Sequence, residues 1–478
     1  MKELVNKIET IVGPENVLAN ESDLLAYEFD GLTLFSGCPL AVALPKTTKE
    51  ISSIVRLCRE ASVPFVPRGA GTGLSGGAVA IEGGIVIECQ RMNQILKIDE
   101  ADRYAVVQPG VVNAELSDAV GHLGLFYAPD PSSQQACTIG GNVAENSGGP
   151  HTLKYGTTTN HVLELELVLP DGEIVRLGCP AGGSVGFDFL GAMVGSEGTL
   201  GIVTEVTVRL TPLPEKVETL LGVFPDIVSA CRAVGEILRS GLTPASLEIS
   251  DQRTIRAVES SVYAAGIPTD AGAVLLIELD GIKEAVERQA DRVSEIAMGC
   301  GASRIEVAKD EAERQRFWRA RKGAFGAMGR LAPDLFVHDA VVPRKHLPEI
   351  LRKICEIADH YGITLSNVFH AGDGNLHPNI SFDRRDPEEL KRVIAAGEEI
   401  LRLCVDAGGV ITGEHGIGIE KKEYLHLVFS ESDLATMSLL RDVFDPGRVC
   451  NPGKIFPTTR FCTEANPKAR GYDRVPFS

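Results

Sequence analysis

Three histidines lie in short segments rich in glycine and carboxylates. His370-Ala371-Gly372-Asp373-Gly374-Asn375-Leu376-His377 sets two imidazoles at the ends of a glycine-flexed turn, after the apolar run Thr364–Phe369. Farther on, Thr412-Gly413-Glu414-His415-Gly416-Ile417-Gly418 adds a carboxylate and a third imidazole. Two His nitrogens and one carboxylate oxygen, with a coordination position left open, make the donor set of a catalytic divalent metal. Zinc suits it first, and manganese or iron tolerates the same N/N/O set. The same imidazoles would equally satisfy backbone groups in tight turns. A neutral imidazole can also take the proton of an alcohol whose pKa a metal lowers. Phe317-Trp318-Arg319-Ala320-Arg321-Lys322, on a predicted helix, offers guanidinium forks that suit a planar carboxylate, although arginines in such a run are usually solvated.

Glycine forms a second kind of signal. The chain holds 50 glycines in 478 residues, about 10% against an ordinary value near 7%, and they cluster. Pro67-Arg68-Gly69-Ala70-Gly71-Thr72-Gly73-Leu74-Ser75-Gly76-Gly77-Ala78 is the first cluster. Successive N–H groups unshielded by Cβ atoms make a concave anion site, suited to a phosphate or pyrophosphate. Gly71 to Gly76 match G-x-G-x-x-G, but a Rossmann unit needs a helix next, and here Gly83-Gly84 and a β-run follow. Pro129–Ser133 with Cys137–Gly149 forms the second cluster, and Gly191–Val203 the third. Three such loops within 215 residues point to one extended ligand, a dinucleotide rather than a mononucleotide.

Together these motifs resemble the FAD-binding domain of the vanillyl-alcohol-oxidase (para-cresol methylhydroxylase) flavoprotein superfamily. Residues 35–457 are most similar to its FAD-linked D-2-hydroxyacid dehydrogenase branch, which includes glycolate oxidase, D-lactate dehydrogenase and D-2-hydroxyglutarate dehydrogenase. The resemblance implies a pyrophosphate cradle from Arg68, Gly69, Ala70, Gly71, Thr72, Gly73, Ser75 and Gly76. It implies a flavin lining of Pro131, Thr138, Gly141, Asn142 and Ser147. The adenine half falls to Glu197, Gly198, Ile202 and Val203, and Asn451 joins the cofactor set. Members with histidine-linked flavin carry R-G-G-G-H in the first loop. Arg68-Gly69-Ala70-Gly71-Thr72 has no His, so the FAD is expected to be non-covalent. The resemblance also makes His370, His377 and Glu414 the metal ligands, His415 the base and Arg321 the carboxylate clamp. The expected reaction is oxidation of glycolate or D-lactate to the 2-oxo acid with hydride passing to flavin. A D-2-hydroxyglutarate dehydrogenase is the alternative, but Leu335-Phe336-Val337-His338-Asp339, with Phe325 nearby, offers a poor partner for a second carboxylate. A flavin electron-transfer subunit of a larger complex, or an aldonolactone or ether-lipid-forming flavoenzyme, would use the same scaffold without the His/His/Glu set.

The elements that must carry these groups fall into two patterns. Up to Leu210, a helix over Lys49–Ala61, strands at Ile85–Cys89 and Tyr104–Val107, and alternating runs at Val162–Leu169, Glu173–Leu177 and Thr199–Leu210 predict a sheet-rich domain, with Pro170-Asp171-Gly172 as a hairpin turn. Beyond the break at Thr211-Pro212-Leu213-Pro214, strand Val217–Phe224, helix Ile227–Ser240, strands Ser246–Ile249 and Ala273–Leu279, helix Lys283–Met298 and strand Ser303–Val307 form a β-α-β-β-α-β succession. That order predicts a ferredoxin-like unit. A strand Leu335–Val342 and a helix Leu347–Tyr361 then lead to the histidines. The fold class is therefore α+β: a two-part FAD-binding domain (1–215), a ferredoxin-like substrate or cap domain with the metal site (216–430), and a C-terminal segment (431–478) returning to the first.

Charge narrows the partners. Lys and Arg total 47 against 65 Asp and Glu, a formal charge of −18, which gains no counterion-release affinity for nucleic acid. The 11 scattered cysteines contain no C-x-x-C pair, so no iron–sulfur spacing occurs and the thiols are expected to be reduced in a cytoplasmic protein. Electrons must then leave through a separate acceptor, an iron–sulfur subunit or an electron-transferring flavoprotein. Any membrane association would be peripheral and through that partner, and the chain is expected to act as a homo-oligomer or complex subunit.

Overall fold

A computed structural model describes residues 2–183 and 186–457; residues 458–478 of the expected C-terminal segment, Cys462 among them, lie outside the described residues. Two compact units emerge. Of the described residues, one holds 2–148, Thr157–Leu213 and 414–457; the other holds Gly149–Gly156 and Pro214–Gly413. The return thus begins at Glu414, earlier than the expected residue 431. The cause is Glu197, whose carboxylate oxygens accept the N–H groups of Ile417 at 2.6 Å and Gly418 at 2.7 Å and tie that stretch to the first unit.

The first unit is built on two sheets. Ala41–Ala43, Ile85–Glu88 and Phe65–Arg68 run parallel, and Val17–Leu18 closes one edge antiparallel. Helix Thr48–Glu60 starts where Thr47 accepts the Glu50 N–H at 3.2 Å, a side-chain cap for an orphan amide. Its apolar residues recur at helical spacing, so Ile51, Ile54, Val55 and Cys58 all face inward and are fully buried with Ala41, Ala43, Phe65, Ile85 and Ile87. Each fully buried Ile or Val there contributes about 1.5–3 kcal/mol. The second sheet is antiparallel, ordered Ile95–Asp99, Tyr104–Val107, Ile202–Arg209, Val162–Val168 and Ile174–Gly178. Gly172, at φ +87°, makes the turn between Val162–Val168 and Ile174–Gly178. No helix follows the first glycine loop; the chain passes directly to the strand at Ile85.

The second unit carries the ferredoxin-like order. Strands Arg304–Val307, Lys216–Phe224, Ala273–Gly281 and Ser246–Asp251 lie side by side and antiparallel, with helices Ile227–Arg239 and Lys283–Gly299 packed on them. The sheet then continues past Ser246–Asp251 to Thr364–His370, which brings the histidine turn onto the same scaffold. The stretch expected as one strand over Leu335–Val342 is two. Asp334–Val337 pairs with Pro378–Phe382, and Ala340–Val341 pairs with Asn375–Leu376. Between them sits buried Asp339, whose carboxylate bonds Thr412 and Gly413, so the ladder is broken where that side chain is used. No described helix is long and apolar enough to cross a membrane.

Gly149–Gly156 belongs to the second unit through its side chains. His151 Nε2 lies 3.0 Å from Glu278, and Lys154 and Tyr155 both reach Asp280. Glu278 also accepts from Arg314, Trp318 Nε1 and Thr219. Burial opposes its ionised form, but the bonds and charges of His151 and Arg314 outweigh it and hold the carboxyl well below the usual range. Replacing Glu278 by alanine strands those donors in the interior. The expected loss is roughly 3–5 kcal/mol of stability, read as a lower urea midpoint. A loss under about 1 kcal/mol would show that the network is dispensable.

Candidate functional site

In the first unit the three glycine clusters converge, because glycine lets neighbouring side chains close directly onto the backbone. A Cβ on Gly69 would sit 2.4 Å from Thr138 Oγ1, one on Gly198 would sit 2.4 Å from Pro67, and one on Gly77 would sit 2.6 Å from Glu145. Asn451 Nδ2 ties two of the loops, donating to Gly77 O at 3.0 Å and Glu197 O at 2.8 Å. Gly69 to Leu74 stay half-buried, and among the described residues nothing accepts their backbone N–H groups. A run of undischarged amides is what an anion such as a pyrophosphate requires.

Several residues expected at the ligand do internal work instead. The Arg68 guanidinium donates to Phe29 O at 2.8 Å and Ala78 O at 3.3 Å, and it lies 3.9 Å from Glu88 in the interior. Its charge is spent on shaping the loop. Buried Asn142 accepts from Asn113 at 3.0 Å, and Thr138 caps helix Ile139–Glu145 through the Gly141 N–H. Ser75 is fully buried, and Ile202 sits in the antiparallel sheet. Glu197, in the left-handed region at φ +51°, is turned toward the returning segment. Pro131, Gly141, Ser147 and Val203 remain part-exposed, as do Ala70, Gly71, Thr72 and Gly73.

Beneath the loops lies a layer of buried charge. Lys454 is fully buried; its Nζ donates to Val79 O at 2.6 Å and Asn451 Oδ1 at 3.0 Å, and burial pulls its pKa down to about 8. Burial also pushes Asp30 and Glu88 up to about 7 despite the nearby Arg68 charge, and it raises Glu145 and Glu197.

The second unit holds the histidines. His370 ends strand Thr364–His370 and His377 follows strand Asn375–Leu376, with Gly374 at φ +87° closing the turn against Val342 O. Their rings stand 5.1 Å apart at 81°, and each offers a nitrogen within 4.8 Å of the other's. His370 Nδ1 lies 2.9 Å from both oxygens of Glu248. An ionised carboxylate only accepts, so Nδ1 carries the proton and Nε2 the lone pair, the tautomer a metal ligand needs. Arg321 is buried, bonds Glu248 at 2.5 Å, and has Nη2 at 3.5 Å from His370 Nδ1. Asp339 lies 3.5 Å from His377 Nε2 and accepts from Thr412 Oγ1 at 2.6 Å and Gly413 N at 2.9 Å. Glu414 and His415 are the next residues in the chain.

Glu248 and Asp339 were not singled out from the sequence. The signal for Glu248 is the period-two polar set Ser246, Glu248 and Ser250 inside a buried strand, where charge is rare unless paired.

Comparison with known proteins identifies the family. Residues 39–178 match the FAD binding domain family, and residues 213–455 match the family described as FAD linked oxidases, C-terminal domain. The chain is 45% identical to glycolate oxidase subunit GlcD of Escherichia coli (strain K12), covering 96% of this chain and 92% of that protein. It is 43% identical to glycolate oxidase subunit GlcD of Bacillus subtilis (strain 168), covering 95% and 97%. With D-lactate dehydrogenase of Anaerostipes hadrus it shares 34% identity over 95% of this chain and 97% of that one. In structure it is similar to p-cresol methylhydroxylase with substrate bound, at a TM-score of 0.80 and 19% identity, covering 95% of this chain and 96% of that chain.

The buried carboxylates set a pH dependence. Asp30 and Glu88 hold their protons more tightly when folded than when unfolded, so their stabilising effect is complete below the ordinary carboxylate range and is lost as pH rises through about 7. The ligand-free protein should therefore melt several degrees lower at about pH 7.5 than at about pH 5, and Asp30→Asn with Glu88→Gln should flatten that slope. An unchanged slope in the double variant would remove these groups as the cause.

Proposed function

The chain belongs to the family of FAD-linked oxidases, and from that membership we propose that it oxidises a small D-2-hydroxy acid, glycolate or D-lactate, to the 2-oxo acid. Relatives named for those activities support the reading. The observation that carries it is the adjacency of a cation and a metal-type imidazole, with Arg321 Nη2 at 3.5 Å from His370 Nδ1. A 2-hydroxy acid bears its carboxylate and hydroxyl on neighbouring carbons, so a carboxylate clamp and a hydroxyl-polarising ion must also be neighbours.

FAD, held without a covalent link, supplies the two-electron acceptor for the α-hydrogen. Gly69 to Leu74 would hold its pyrophosphate through backbone N–H groups, with Arg68 shaping that loop from behind. A divalent metal, zinc by preference, would sit on His370, His377 and Glu414 and supply Lewis acidity at the substrate hydroxyl. His415 takes the hydroxyl proton, and Arg321 orients the carboxylate. A cavity of about 20 Å³ borders Arg321, lined by Leu221, Ile255, Val274, Leu276 and Phe317 among others. The relatives named for glycolate oxidase and D-lactate dehydrogenase favour glycolate or lactate over hydroxyglutarate. Electrons would pass on to a separate iron–sulfur subunit or electron-transferring flavoprotein.

Turnover with glycolate and D-lactate, read with an artificial dye acceptor, tests these roles. His370→Ala and Glu414→Ala should abolish turnover while leaving bound FAD intact. His415→Ala should slow flavin reduction by about 10²–10⁴-fold with little change in substrate affinity, and Arg321→Ala should raise KM by roughly ten- to a hundredfold. Full activity in His370→Ala would refute the metal site, and an unchanged KM in Arg321→Ala would refute the clamp.

A further inference from the structure

We propose that Glu248 is a positioning residue serving both halves of the substrate site at once, fixing His370 for the metal and holding Arg321 ready for the substrate carboxylate. The inference rests on the metal and clamp reading above. Glu248 lies on strand Ser246–Asp251 directly opposite His370 in antiparallel register, where paired side chains stand on the same face. Its side chain is 1% exposed, so its charge must be met by partners rather than by water.

Three groups meet that charge. His370 Nδ1 lies 2.9 Å from each carboxylate oxygen, Arg321 Nη2 lies 2.5 Å from Oε2, and Ser246 Oγ donates to Oε1 at 3.2 Å. The first contact selects the imidazole tautomer and aims the ring, as carboxylates behind metal-bound histidines do. The second neutralises a guanidinium that would otherwise be a costly buried charge. Because Nη2 is engaged and Arg321 Nε bonds no protein group, the fork keeps donor capacity for an incoming carboxylate. One residue therefore ties metal affinity to substrate affinity, although it is placed to touch neither metal nor substrate itself.

The test uses the FAD-loaded protein stripped of metal with a chelator and titrated with Mn²⁺. Glu248→Gln should keep its FAD, melt lower because buried Arg321 loses its counter-charge, and bind Mn²⁺ roughly 10- to 100-fold more weakly. At saturating Mn²⁺ its KM should stay raised while kcat recovers to within about threefold of wild type, because positioning rather than chemistry has been lost. Wild-type Mn²⁺ affinity or wild-type KM in this variant would overturn the proposal. If Glu248→Gln does not fold, Ser246→Ala should show about two- to fivefold shifts in both quantities, and no shift in either would overturn it. The two readings fail differently: a wild-type protein that binds FAD but no Mn²⁺ removes the metal site and this inference with it. Normal wild-type binding beside an unaffected Glu248 variant removes this inference alone.

Discussion

A carboxylate buried away from water must find donors, because an unmet charge in the interior costs more than almost any contact returns. This chain turns that obligation into a positioning device. Glu197 takes the N–H groups of Ile417 and Gly418 and so fixes the segment that follows His415. Asp339 takes Thr412 and Gly413 and fixes the segment that precedes Glu414. Glu248 takes His370 and Arg321, and Glu278 takes His151, Arg314 and Trp318. The bonds of Glu197 and Asp339 hold segments with little regular structure of their own, while those of Glu248 and Glu278 reach one helix, Glu311–Lys322.

Glycine does the complementary work in the first unit. Where the carboxylates pull segments together, Gly69, Gly77 and Gly198 permit the final approach, because any Cβ there would overlap a neighbour. Gly416, flanked by His415, lies so close to Glu145 and Glu197 that a Cβ would meet Glu145 Oε2 at 2.2 Å. The chemically useful residues are therefore surrounded by positions that tolerate no side chain, which explains why glycine concentrates in those motifs.

The sequence made much of this legible, and the limits have physical causes. Period-two runs and the Pro170-Asp171-Gly172 turn located the antiparallel strands, and the β-α-β-β-α-β succession implied the strand order of the second unit. The glycine loops and the His370 and His377 turn were visible because their residue types are rare in such density. Cross-strand register was not visible, so Glu248 could not be set opposite His370. Nor could Arg68 be told from a ligand-binding arginine, since the choice depends on whether Phe29 O, Ala78 O and Glu88 lie within its reach. The excursion of Gly149–Gly156 was equally hidden, because it depends on two carboxylates more than a hundred residues away.

The proposed chemistry brings these devices together: an acceptor on the glycine loops, a metal on His370, held by Glu248, with His377 and Glu414, and a guanidinium beside His370. One observation addresses all three. The FAD-loaded protein is mixed without oxygen with glycolate, D-lactate, L-lactate or D-2-hydroxyglutarate while its visible spectrum is followed, with and without a chelator. Rapid bleaching of the flavin band by glycolate or D-lactate, abolished by the chelator, is the predicted result. A protein that stays yellow with every hydroxy acid, or that binds no FAD at all, would contradict it.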